Sequence, residues 1–147
     1  MALPDTLKNS MSLPLVAASL FIISNPDLVI AQCKAGVVGS FPALNARPAA
    51  ELEKWLQRIT RELAVYNEAN PDQPAAPFAV NQIVHDSNDR LQHGLDLCVK
   101  YKVPIFITSL GAKTFVNDAI HFFGAIVLQD IINNLSPKRW WRKVRTD

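Results

Sequence analysis

The chain has 147 residues, of which 49% are hydrophobic and 19% are charged, enough for one domain with a substantial core. Its formal net charge of +2 comes from the last thirteen residues, where five basic side chains outweigh one acidic one. Residues 1–134 therefore carry about −2, and this charge excludes a broadly basic surface and gives no reason to expect a nucleic-acid partner.

The first part of the chain predicts strand, helix, strand, helix. "LPLVAASLFIIS" is a continuous apolar run without alternation, typical of a strand covered on both faces. "SNPDLVIAQCKAG" predicts a helix capped by Ser24 or Asn25, with Pro26 in its first turn and Gly36 after its end. "VVGSFPAL" predicts a second buried strand. "RPAAELEKWLQRITRELAVY" predicts a helix with one apolar stripe, formed by Leu52, Trp55, Leu56, Ile59 and Leu63.

After the polar, proline-rich loop "NEANPDQPAA", the alternation continues. "PFAVNQIV" predicts strand three, and "VPIFITSL" and "AIVLQDII" predict strands four and five. "SNDRLQHGLDLCVKYK" predicts a helix capped by Ser87 or Asp86, with an inward face of Leu91, Leu95 and Cys98. "AKTFVNDAIHFFG" predicts a last helix, with an inward face of Val116, Ala119, Ile120 and Phe123.

Five strands that alternate with four helices predict an α/β fold with a parallel sheet and right-handed crossovers. The sequence contains no GxGxxG, GxxxxGK[ST] or GxSxG motif, so the common nucleotide-binding and hydrolase fingerprints are absent. Two architectures remain. One is a flavodoxin-like open sheet, and the other is an incomplete (β/α)8 barrel of the TIM type, for which this chain supplies about five of eight strands.

The sequence favours a cytoplasmic protein. Cys33 and Cys98 are too few and too far apart for a disulfide framework or a zinc site, so we expect buried thiols in a reducing compartment. The run "SLPLVAASLFIIS" has the apolar character of a signal-peptide core, but it is too short to span a bilayer. The "NPD" that follows breaks the run before any small-residue cleavage site, so we expect neither secretion nor a membrane partner.

Three segments resemble the nitronate monooxygenases, formerly called 2-nitropropane dioxygenases. They are "LPLVAASLFIISNPDLVIAQCKAGVVGSFPALNARP", "PFAVNQIVHDSNDRL" and "VPIFITSLGAK", and "AGVVGSFPALNAR" is the most specific part. The resemblance extends from about residue 11 to residue 134, and it implies that residues 1–134 are the N-terminal part of an FMN-dependent (β/α)8 barrel. That family oxidises alkyl nitronates with O2 to a carbonyl compound and nitrite.

In such a barrel the chemistry lies at the carboxyl ends of the strands. By resemblance, the loop after strand one backs the flavin ring. The family's usual Ala-Pro-Met reads Ala18-Ser19-Leu20 here, so a proline that fixes the backbone and an adaptable methionine are both lost. At the ends of strands three, four and five stand Asn81, Ser109 and Gln129.

Asn81 is the best candidate for a flavin contact, because an amide can both donate to and accept from the ring edge or the ribityl hydroxyls. Gln129 has the same chemistry, and Ser109 is a weaker candidate. The alternative for all three is that they only satisfy backbone groups of their own loops.

No catalytic residue is predicted within the chain. His85 follows strand three and is expected to be a loop residue, while His93 and His121 lie on predicted helices. In the family that the chain resembles, the catalytic histidine lies in a loop after strand six. The phosphate-binding glycine loops follow strands seven and eight, so both lie beyond the end of this sequence.

The last residues, 135–147, read "LSPKRWWRKVRTD" and do not resemble the family. One legal set of codons for them, read in another frame, encodes "FAKKVVEKGADG", an amphipathic helix of the family's type. We therefore expect an aberrant tail produced by a one-base shift near Asn134. The alternative is a binding tail, since tryptophans between basic residues suit anionic lipid surfaces or nucleic acid.

Three interpretations follow. The first is a fragment of an FMN-dependent nitronate monooxygenase, inactive alone, whose small-molecule partners are the nitronate and O2 and whose open sheet edge allows self-association. The second is a complete flavodoxin-like binding module with a basic tail. The third is a scaffold that pairs with a separately encoded C-terminal half of the barrel.

Overall fold

A four-stranded parallel sheet forms the centre of the protein in a computed structural model, which describes residues 4–8, 10–111 and 113–130. The strands are β1 (Gly39–Pro42), β2 (Phe78–Ile83), β3 (Ile105–Ser109) and β4 (Ile126–Gln129). The helices are α1 (Asp5–Lys8), α2 (Pro26–Lys34), α3 (Glu51–Ala69), α4 (Leu91–Lys100) and α5 (Thr114–Phe122), and a 3-10 turn follows β1 at Ala43–Asn45. The predicted tail, residues 135–147, lies outside the described residues.

The strands lie side by side in chain order, β1-β2-β3-β4, and each neighbouring pair is parallel. A flavodoxin-like sheet would place the first strand between the second and the third. Consecutive order is the arrangement of a (β/α)8 barrel, in which every crossover advances by one strand. The prediction of an incomplete barrel is therefore confirmed, and the flavodoxin-like alternative is wrong.

The predicted strand at "LPLVAASLFIIS" is wrong as a strand. Only Val16 pairs with the sheet, through an isolated parallel bridge to Val38 beside β1. The Leu15 carbonyl accepts a hydrogen bond from the Val38 N–H at 3.0 Å, and the Ala17 N–H donates to the Val38 carbonyl at 2.8 Å. The segment keeps the place of a first barrel strand, but its other hydrogen bonds within the described residues are mainly turn and side-chain bonds instead of a ladder, such as the bond from the Leu20 N–H to Ser24 Oγ at 2.9 Å.

The expectation that this run is covered on both faces is also wrong. Seven of its large apolar side chains are exposed, namely Leu13, Leu15, Val16, Leu20, Phe21, Ile22 and Ile23. The reason is that the run lies at the edge of the sheet and no described element packs outside it. In a closed barrel, this edge is where the last strand pairs with the first.

The two helix caps show where local sequence signals succeed and fail. Asn25 caps α2 as predicted, because its Oδ1 accepts a hydrogen bond from the Leu28 N–H at 3.0 Å, and Pro26 begins the helix. Neither Ser87 nor Asp86 caps α4, which begins at Leu91 without a side-chain cap. Ser87 is bonded to His85, and Asp86 forms an ion pair with Lys113, so both side chains are used elsewhere.

The inward stripes of the helices are predicted correctly with one exception. Leu52, Leu56, Ile59 and Leu63 of α3 and Leu91, Leu95 and Cys98 of α4 are buried. Trp55 is half-buried against Phe41, with ring centroids 5.6 Å apart. On α5 the buried positions are Val116, Asn117 and Ile120, so Ala119 falls to the side of this stripe and is exposed.

The two faces of the sheet have different surroundings. Phe41, Val80 and Phe106 face the helices and belong to the larger core. Val38, Ala79 and Ile105 belong to a smaller cluster on the opposite side, which Leu7 of α1 completes. The half-buried Ile107, Ile126 and Leu128 pack against this smaller cluster. The second face corresponds to the interior of the barrel.

Among the described residues, no helix is long and apolar enough to cross a bilayer.

Candidate functional site

The candidate site lies at the carboxyl end of the sheet, on the side of the barrel interior. Asn81 and Ser109 both lie on this face, because Val80 and Phe106 on the same strands point to the helices. The structure brings the two side chains together, with Asn81 Nδ2 donating a hydrogen bond to Ser109 Oγ at 2.8 Å. Both residues are half-buried and thus accessible to a ligand.

This pairing decides which polar groups remain for a ligand. The Ser109 oxygen accepts from Asn81, so the Ser109 hydroxyl hydrogen stays free to donate. Within the described part of the chain, Asn81 Oδ1 accepts no side-chain or backbone hydrogen bond. The pair therefore offers one acceptor and one donor side by side.

Gln129 lies at the end of β4, but its amide group is engaged. Its Nε2 donates to the Thr108 carbonyl at 3.1 Å and to the Gly111 carbonyl at 2.9 Å. Both hydrogens of the amide thus bond backbone carbonyls, one in β3 and one in the β3–α5 connection. Only Oε1 of Gln129 is left as an acceptor for a ligand.

Residues 15–17, which bridge to Val38, form the bridge segment, and residues 18–20 follow it at the same end of the sheet. Ala18 and Leu20 are exposed and Ser19 is half-buried. Ser40 of β1, fully buried, donates from Oγ to the Ala17 carbonyl at 2.5 Å and lies 2.7 Å from Ser19 Oγ. Because the single hydroxyl hydrogen of Ser40 is used on Ala17, Ser19 is the donor in the second bond, and the Ser19 oxygen keeps its lone pairs for a ligand.

Sequence reasoning missed Ser40 and Asn45 as residues of the site. Asn45 ends the 3-10 turn after β1, and its amide bonds three backbone groups of the loop that follows the bridge segment. A signal was present, because Asn45 is a polar side chain in the turn that follows β1, at the carboxyl end of the sheet. The burial of Ser40 could not be anticipated, since it depends on the neighbouring segment.

None of the three histidines reaches the candidate site. His85 is exposed, and its Nδ1 bonds Ser87 in the β2–α4 loop at 2.9 Å. His93 and His121 are exposed on α4 and α5. Beside His85, the Lys113 ammonium forms a 2.6 Å ion pair with Asp86 and holds the pKa of that carboxyl below its ordinary value. No group of acidic, histidine or cysteine side chains in the described residues could hold a metal ion.

The groups at the site suit the ring and the ribityl chain of FMN. Asn81, Ser109 and the Ser19 oxygen can bond a heteroaromatic edge or hydroxyls. The small or apolar Ala18 and Leu20 can lie against a ring face. On the loops after β1 and β2, Arg47 lies over the Phe21 ring, and Arg90 Nη2 donates to the Ala46 carbonyl while the buried Arg90 Nε bonds no described group. The fit therefore covers the ring, and the phosphate needs groups outside this set.

Sequential parallel strands with polar residues at their carboxyl ends define part of a (β/α)8 barrel. The comparison with solved structures agrees. FabK from Thermotoga maritima superposes with a TM-score of 0.73 at 19% identity, over 95% of this chain and 40% of that chain. Its M276A mutant gives 0.72 at 18% identity, over 95% and 42%. The likeness shows the fold, and the chain spans about two fifths of FabK.

No protein-family model matches the sequence. No curated protein matches it either.

Proposed function

We propose that the chain is the N-terminal part of an FMN-dependent oxidoreductase of the nitronate monooxygenase type. In the complete barrel, an alkyl nitronate and O2 would be converted to a carbonyl compound and nitrite, with FMN supplying the electron transfer when bound. The sequence resemblance supports this reaction, and the similarity to FabK supports the barrel fold that the reaction needs. The observation that carries the proposal is the Asn81–Ser109 pair on the interior face of the barrel.

The role of the pair is to bind and orient the flavin ring. The free acceptor of Asn81 and the free donor of Ser109 lie side by side, and the edge of a flavin ring offers the complementary N–H and C=O groups. Ala18 and Leu20 provide surface for the ring face. Gln129 contributes a single acceptor, because its donors close the β3–α5 connection.

The chain alone binds the ring without the phosphate and does not turn over substrate. The resemblance places the catalytic histidine and the phosphate-binding loops after strands six to eight. The pairing of the Lys113 ammonium with Asp86 and the placement of Arg47 over the Phe21 ring agree with this division. A phosphate gains its affinity from free backbone N–H groups and helix N-termini, so the ring-binding part by itself should not distinguish FMN from riboflavin.

The test is a titration of the purified chain with FMN and with riboflavin, followed by flavin fluorescence. Saturable binding is expected with dissociation constants that agree within about threefold for the two ligands, since the phosphate of FMN meets no dedicated partner. With the chain present, nitrite is expected to be released from propyl-2-nitronate no faster than in a sample without protein. Absence of riboflavin binding would overturn the flavin proposal. Nitrite release by the chain alone would overturn the proposal that this part binds the ring but does not turn over substrate.

A further inference from the structure

Asn45 connects the turn after β1 to the loop that follows the bridge segment. Its Nδ2 donates to the Leu20 carbonyl and to the Ser24 carbonyl, both at 2.9 Å. Its Oδ1 accepts from the Ile22 N–H at 3.2 Å. One side chain thus bonds three backbone groups within five residues of this loop.

The loop itself has an unfavourable backbone conformation. Ile22 has φ +67°, a left-handed conformation that is a genuine outlier for a β-branched residue. Its side chain is 76% exposed and so gains little from packing. Such strain persists only where the surroundings impose it. The bond from the Ile22 N–H to Asn45 is the side-chain contact that acts directly on this residue.

A second set of bonds closes the loop from within. The Leu20 N–H donates to Ser24 Oγ at 2.9 Å, and the Ser24 N–H donates to the Leu20 carbonyl at 3.0 Å. Ser24 is fully buried, so the base of the loop is anchored, while Phe21 and Ile22 extend outward. Asn45 therefore bonds both the two ends of the loop, at Leu20 and Ser24, and the strained Ile22 between them.

We infer that Asn45 is a positioning residue that holds residues 18–24 in the shape required to back the flavin ring. The inference rests on the proposed flavin function, because Ala18, Ser19 and Leu20 are the part of the loop assigned to the ring. Asn45 does not touch the ring itself.

The experiment compares wild type with Asn45→Ala, Asn45→Asp and Gly94→Ala. Gly94→Ala is the control for general destabilisation, because Gly94 packs against Gln82, which lies on the side of the sheet facing the helices. Amide exchange by NMR at Leu20, Ile22 and Ser24 reports the loop, and riboflavin affinity reports the site. Asn45→Asp keeps an acceptor for Ile22 but loses both donors, so it should behave like Asn45→Ala.

We expect both Asn45 variants to speed exchange at these amides at least tenfold and to weaken riboflavin binding about fivefold or more. Gly94→Ala should change neither the amide exchange of the loop nor the riboflavin affinity, even where it lowers the free energy of unfolding as much as the Asn45 variants do. Loop exchange that rises while riboflavin affinity stays at the wild-type value overturns the inference and leaves the flavin site intact. Wild type that fails to bind riboflavin overturns the proposed function, and the positioning role falls with it. If Asn45→Ala does not fold, Ser24→Ala is used instead, because it removes the bond from the Leu20 N–H to Ser24 Oγ. This variant must then also speed amide exchange in the loop and weaken riboflavin binding.

Discussion

Asn81 on β2 bonds Ser109 on β3 across 2.8 Å, two residues beyond its register partner Ile107. The bond therefore runs diagonally toward the carboxyl end of the sheet. That direction leaves the unused acceptor of Asn81 and the unused donor of Ser109 at the rim of the barrel interior, where substrates of (β/α)8 enzymes bind.

Removing either member of this pair should weaken flavin binding. Asn81→Ala is expected to raise the riboflavin dissociation constant about fivefold to tenfold, since a hydrogen bond contributes about 1 kcal/mol. Ser109→Ala should have a smaller effect, because Asn81 can still bond the ring. Fluorescence titration measures both. Gln57→Ala, exposed on α3, is the control, and equal affinities for all four proteins would contradict the assignment.

Gly94→Ala should destabilise the fold although alanine is the better helix former. A Cβ at position 94 would lie 3.1 Å from both Nε2 and Oε1 of the buried Gln82. Gln82 cannot easily withdraw, because it is fully buried and its Nε2 donates to Cys98 Sγ. The cost of overpacking, about 1–3 kcal/mol, exceeds the gain in helix propensity of about 1 kcal/mol.

Urea unfolding of Gly94→Ala and of His93→Ala, an exposed neighbour on α4, measures this effect. The His93 variant should stay within about 0.5 kcal/mol of wild type. A more stable Gly94 variant would show that helix propensity outweighs packing at this position.

Local sequence patterns predicted helices α2 to α5 and strands β1 to β4, because the causes of these elements are local, whereas the short α1 was not predicted. The stripe from Leu52 to Leu63 needs only the helical period, and the Asn25–Pro26 start needs only neighbouring atoms. The cap of α4 was mispredicted because Asp86 pairs with Lys113, the residue before α5, which is a long-range contact. The first strand was mispredicted because an apolar run indicates burial, whereas at the edge of this sheet nothing described covers it.

The candidate site could be predicted only in part for the same reason. Asn81 and Ser109 are predicted at the carboxyl ends of successive strands, but the hydrogen bond between them was not predicted. The engagement of Gln129 depends on the course of the β3–α5 connection, where Leu110 has φ +60° and Gly111 φ +145°. Which atoms of an amide remain free is set by such tertiary contacts, and a sequence pattern does not contain them.

Both cysteines should be unreactive in the folded protein. Burial raises the pKa of the Cys33 thiol to about 11 and that of the Cys98 thiol to about 12, and the thiolate is the reactive form. Both thiols are free and buried, as the sequence predicted. We expect no reaction with a thiol reagent at pH 8 within minutes in the folded protein. In urea, we expect two thiols per chain to react. Fast reaction of one thiol without urea would contradict the burial of that cysteine.

The exposed edge beside β1 should cause self-association. Leu13 and Leu15 are more than half exposed there, next to backbone groups that a further strand would pair. Unpaired apolar edges recruit other chains. Replacing both residues by glutamate should raise the concentration of half-association at least tenfold, because the charges would have to be desolvated in the contact. Sedimentation velocity over a concentration series measures this.

Phe122→Glu is the matched control for that experiment. Phe122 is 93% exposed on α5, far along the chain from the bridge segment, so the same apolar-to-acidic change there should leave association unaltered. If Phe122→Glu disperses the protein as well as the edge variant does, the contact is unspecific and does not involve the edge. A wild-type chain that stays monomeric at a protein concentration of about 100 micromolar would contradict the edge contact altogether.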